Sequence, residues 1–126
     1  TVLVVDDNPM VREVIGEWFE DRGRRVLRAW GGEHALEVLD AEGRVDLVVT
    51  DIEMPNGDGF FLLEQLALRD PRCRVFMISG HPEDLERARG LGALRTFVKP
   101  VHKEDLLAAV EAVWNPPGAE GPPAPD

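Results

Sequence analysis

Five short apolar runs alternate along this chain with five stretches whose apolar residues recur at helical spacing. Val2-Leu3-Val4-Val5 is an unbroken apolar run, rich in β-branched residues, as expected of a strand buried on both faces. Further strands are predicted at Val26 to Ala29, Val45 to Thr50, Arg74 to Ile78 and Thr96 to Val98. Between them, Val11, Val14, Ile15, Trp18 and Phe19 follow the i, i+3, i+4, i+7, i+8 template of an amphipathic helix. Ala35, Val38 and Leu39 mark a second helix, and Leu62, Leu63, Leu66 and Ala67 a third. Leu85, Ala88 and Leu91 indicate a shorter fourth, and Leu106, Leu107, Val110, Val113 and Trp114 a fifth. Strict alternation with short connections predicts an α/β fold: a five-stranded parallel sheet, doubly wound as (βα)5, with helices on both faces. In such sheets ligands bind beyond the carboxyl ends of the strands.

Those ends carry the chemistry. Strand one closes on Asp6-Asp7, strand three on Asp51, strand four on Ser79 and strand five on Lys99-Pro100. In a parallel sheet these groups meet at one edge. Three carboxylates crowded into a partly buried site repel one another, and a hard divalent cation such as Mg²⁺ resolves that conflict. Lys99 offsets more of the charge, and the Ser79 hydroxyl offers a neutral donor to a phosphoryl oxygen. Acids, lysine and hydroxyl together suit phosphoryl transfer, in which metal and ammonium neutralise the migrating group.

Four motifs stand in order at these ends: LVVDD, D-I-E-M-P-N-G-D-G, I-S-G and F-V-K-P. Together they resemble the CheY-like (flavodoxin-like) receiver domains of two-component response regulators, over roughly Val2 to Trp114. The resemblance implies that Asp51 is the phosphoacceptor, that Asp7 binds Mg²⁺ directly and that Asp6 holds it through water. It further implies that Glu53 lends its backbone carbonyl to the metal, that Ser79 is the switch hydroxyl and that Lys99 pairs with the phosphoryl group. Lys99-Pro100 would carry a cis peptide bond. A histidine kinase or histidine phosphotransfer protein would donate the phosphoryl group, and the face built by helix four, strand five and helix five would change in response. A downstream protein or an attached output domain would read that change.

Two positions depart from the pattern. The family often places an aromatic three residues before the lysine, where this chain has Thr96; Phe97, one residue on, is expected on the opposite face of the sheet. Coupling from Ser79 is then expected to run through its loop or through Thr96. His81, two residues past Ser79, reads first as an exposed loop residue; the alternative reading is that His81 and Glu53 set how quickly water reaches the aspartyl phosphate. Helix five lacks arginine, which argues against the paired DNA-binding dimers of some receivers.

Composition narrows the alternatives. With 24 acidic residues against 14 basic ones and a net charge of −10, the chain repels phosphate backbones, so direct nucleic-acid binding is not expected. No window approaches the roughly 20 apolar residues of a membrane span, and no leader is visible. The lone Cys73 fits a reducing, cytoplasmic setting. Residues 1–114 read as one domain, and 115–126, holding five of the ten prolines, as a disordered tail or linker. Two other functions compete with the switch. A Mg²⁺-dependent aspartyl phosphatase would need D-x-D after strand one, where this chain has D-D-N-P. A phosphorylation-independent docking module would be expected to have lost an acid or the lysine, and all are present.

Overall fold

The structure, a computed structural model, describes residues 1–114, so the expected tail at 115–126 lies outside the described residues. Its elements alternate as β1 (Val2–Val5), α1 (Pro9–Glu20), β2 (Val26–Ala29), α2 (Gly32–Glu42), β3 (Leu47–Asp51), α3 (Gly59–Arg69), β4 (Arg74–Ser79), α4 (Pro82–Gly90), β5 (Arg95–Val98) and α5 (Lys103–Trp114). The strands form one parallel sheet in the order β2-β1-β3-β4-β5. The chain therefore winds outward in both directions from β1 and β3, and the crevice above that reversal is where such sheets bind ligands. No helix among the described residues is long and apolar enough to cross a membrane.

Each central strand is buried on both faces, which is why its sequence is apolar without alternation. Val2, Val4, Val49 and Phe76 meet Ile15 and Phe19 of α1 and Leu106, Leu107 and Val110 of α5 on one face. Leu3, Val5, Val48 and Met77 meet Ala35, Leu39, Leu62, Leu66 and Leu85 of α2, α3 and α4 on the other. Burying a side chain of this kind stabilises a fold by about 1.5–3 kcal/mol.

Register brings the chemistry together. Val5 pairs with Thr50 and Asp51 with Ile78, so Asp6 and Asp51, and then Asp51 and Ser79, finish neighbouring strands. Ser79 pairs with Val98, one residue short of Lys99. Two helices are aimed by side-chain caps: Asn8 Oδ1 accepts from the N–H groups of Met10 and Val11, and Asp58 Oδ1 from that of Phe61. The β3–α3 loop turns on Asn56 and Gly57, whose φ angles are 56° and 95°. That loop is tied to the start of α2 through Gly32 N–H to Gly57 O, 2.8 Å, and Glu33 N–H to Asn56 O, 3.2 Å.

Several expectations shift. β3 starts at Leu47 and ends on Asp51, while Val45, though buried, precedes it. β4 extends to Ser79 and β5 begins at Arg95. Leu91 lies past the end of α4 and is exposed, and Val14, despite its helical spacing, is 45% exposed. Trp30, just past β2, is 57% exposed and stacks on His34 with ring centroids 3.3 Å apart.

Candidate functional site

Asp6, Asp51 and Ser79 are the three polar or charged site groups that the sheet buries, each at a strand end. Asp51 Oδ2 accepts from Lys99 Nζ at 2.9 Å, across 48 residues of sequence. Its Oδ1 faces the Glu53 N–H at 3.4 Å. Burial raises the Asp51 pKa above the ordinary carboxylate value, against the pull of the Lys99 hydrogen bond and charge. Burial also pushes Asp6 up to about 6, opposed by the Asn8 N–H and reinforced by the charges of Asp51 and Asp7. Lys99 loses some basicity to burial, but its bond to Asp51 and the charges of Asp51, Asp6 and Glu53 raise its pKa overall.

Asp6, Asp7 and Asp51 each present a carboxylate oxygen within 4.8 Å of the others. One lysine cannot balance three acids, and the charges of Asp51 and Asp7 add to the burial that raises Asp6. Oxygen donors, excess charge and the exposed Asp7 at the mouth fit a hard divalent cation that keeps part of its water. The site opens into a groove of about 870 Å³ that continues past the acids between α1 and the β5–α5 loop, along Met10, Val14, Trp18, Pro100 and Val101. Lys99-Pro100 is a cis peptide, as expected. The Lys99 N–H donates to Ser79 O at 2.9 Å, continuing the pairing of β5 with β4.

Ser79 and His81 are drawn into one cluster with Glu53. Ser79 Oγ donates to Glu53 Oε1 at 2.5 Å and accepts from the His81 N–H at 3.0 Å. Glu53 Oε2 lies 3.2 Å from His81 Nε2. The Ser79 hydrogen bond, with the charges of His81 and Lys99, holds the Glu53 carboxyl below its ordinary pKa. The Glu53 side chain is thus a member of the site, whereas sequence reasoning emphasised its backbone carbonyl. Spacing of two from both Asp51 and Ser79 was the available signal for the Glu53–His81 contact.

Thr96 stands apart from this cluster. It pairs with Met77, and its Oγ1 accepts from Arg89 Nη1 of α4 at 2.6 Å. Phe97 points to the other face, where it packs with Phe76 at a ring-centroid distance of 5.6 Å.

A doubly wound parallel sheet with acids, hydroxyl and lysine at its carboxyl edge defines a class, and residues 2–111 match the family model described as "Response regulator receiver domain". The chain belongs to the response-regulator receiver family, whose members act in two-component signalling. It is 31% identical to sporulation initiation phosphotransferase F of Bacillus subtilis over 87% of this chain and 90% of that protein. It is 36% identical to the positive alginate biosynthesis regulatory protein of Pseudomonas aeruginosa over 91% of this chain, but spans only 47% of that longer protein. Among solved structures, the CheX–CheY–BeF3–Mg complex from Borrelia burgdorferi matches with a TM-score of 0.82 and 30% identity, over 89% of this chain and 87% of that one.

Proposed function

We propose that this domain is a phosphorylation switch in which Asp51 accepts a phosphoryl group from a phosphohistidine donor in the presence of Mg²⁺. The observation that carries this reading is the buried Asp51 carboxylate, held by Lys99 at 2.9 Å on one oxygen and grouped with Asp6 and Asp7. An Asp51 oxygen attacks phosphorus, the P–N bond breaks, and the imidazole leaves with the electron pair. Lys99 moves from the carboxylate to the incoming phosphoryl oxygen, and the Ser79 hydroxyl supplies a second donor. Asp7 and Asp51, with the Glu53 carbonyl, would hold Mg²⁺ directly and Asp6 through water; when bound, the ion neutralises phosphoryl charge.

The donor must bring its histidine to Asp51, and the exposed apolar flank of the groove, with Met10 77% exposed, suits a protein surface laid beside the site. A histidine kinase or phosphotransfer protein meets both demands. Glu53 and His81, at the mouth, would govern how water reaches the aspartyl phosphate. The response would be a population shift of the α4–β5–α5 face, read by a downstream protein or an attached output domain.

Intact-mass spectrometry after incubation with Mg²⁺ and acetyl phosphate tests the reading. One added phosphoryl group that requires Mg²⁺ and is absent from Asp51→Asn is expected. No adduct, with no binding of the stable mimic beryllofluoride either, would leave the phosphorylation-independent docking module in its place.

A further inference from the structure

The proposed switch needs the Ser79 hydroxyl at the phosphoryl group, yet at rest that hydroxyl is engaged elsewhere. A serine hydroxyl has a single proton to donate. Here it goes to Glu53 Oε1 at 2.5 Å, while the same oxygen atom of Ser79 accepts the His81 N–H. The second Glu53 oxygen lies 3.2 Å from His81 Nε2, so one carboxylate spans the β3–α3 and β4–α4 loops. The two partners are unlike in exposure. Ser79 is fully buried, whereas the Glu53 side chain is 44% exposed and has water as an alternative partner.

We propose that the Glu53 carboxylate is an inhibitory latch, holding the Ser79 hydroxyl and the first residues of the β4–α4 loop in the resting position until a phosphoryl group on Asp51 competes for them. This rests on the reading of Asp51 as the phosphoacceptor. Glu53 acts here as a positioning residue, through Ser79. A ligand that requires Ser79 to be free binds more weakly by the factor the latch contributes. A charge-assisted hydrogen bond to a half-exposed carboxylate corresponds to a factor of about ten.

A double-mutant cycle in the full chain separates the latch from simple repulsion between Glu53 and an anion. Beryllofluoride is titrated in saturating Mg²⁺ into wild type, Glu53→Ala, Ser79→Ala and the double variant, with bound fluoride followed by ¹⁹F NMR. Side-chain replacement leaves the Glu53 backbone carbonyl in place for the metal. Glu53→Ala is expected to tighten binding about tenfold more when Ser79 is present than when it is absent. Glu53→Gln, which keeps an acceptor oxygen without its charge, is expected to fall between. Equal gains in both backgrounds would overturn the latch and leave the phosphoacceptor reading intact. A wild type that binds no beryllofluoride would overturn both.

Discussion

Single residues set the charge balance of the site, and Asp6 is the one whose titration is most displaced. Its pKa of about 6 in the folded chain, against an ordinary value of 3.8, means that folding favours the protonated form. The Asp6 contribution to stability is therefore fully present below pH 3.8 and lost as pH rises through 6, a change of about 3 kcal/mol. Asp6→Asn keeps the oxygen that receives the Asn8 N–H and removes the charge. Urea unfolding in a chelating buffer should show it more stable than wild type at pH 7, by up to about 3 kcal/mol, with the gap closing toward pH 4. Lys99 works in the opposite sense, as the counter-charge of the buried Asp51. Replacing it with Met should slow Mg²⁺-dependent phosphorylation roughly a hundredfold, as loss of a charge-stabilising donor commonly does. Time-resolved intact mass measures this, with acetyl phosphate as donor. An unchanged rate would remove Lys99 from the transfer step.

At the scale of elements, the site depends on how closely α3 approaches the end of β3. Gly59 opens α3, and a Cβ there would lie 2.7 Å from Met77 Cε and 2.8 Å from both Asp51 O and Ile52 Cα. Two of those neighbours are backbone and cannot swing aside. Gly59→Ala should destabilise the domain by about 1–3 kcal/mol in urea melts. It should also weaken Mg²⁺ binding by displacing Asp51. The elements themselves were readable in the sequence, because burial on two faces writes continuous apolar runs such as Val2–Val5 and burial on one writes helical spacing. The ends of those runs gave the site residues, since a parallel sheet gathers the side chains at the carboxyl ends of its strands. The tie between α2 and the β3–α3 loop was hidden, because it is made by backbone groups that every residue possesses. Periodicity misjudged Val14 for a related reason. It marks the apolar side of α1 but not where the neighbouring β5–α5 loop stops covering it, and there the groove begins. Thr96 was legible as a departure, but its bond to Arg89 of α4 was not, since nothing in sequence ties those two side chains.

For the molecule as a whole, net charge and topology dominate. With a net charge of −10 and three acids gathered at one edge of the sheet, the domain gains stability from any cation that binds only the folded form. At a Mg²⁺ concentration a hundredfold above its dissociation constant, the gain is about 2.7 kcal/mol. Thermal melts should therefore rise with Mg²⁺, and rise again with beryllofluoride in wild type but not in Asp51→Asn. A missing second step in wild type would count against Asp51 as the acceptor. Topology then ranks the site's members by how firmly each is anchored. β1 and β3 are central and hydrogen-bonded on both sides, whereas β5 is an edge strand of four residues paired only with β4. Local opening begins at such margins and leaves the interior strands intact. The acids thus ride on the last part of the sheet to open, and their ammonium partner, Lys99, follows the first. Each fraying of β5 would therefore draw the Lys99 ammonium away from Asp51 while the acids on β1 and β3 stay in register.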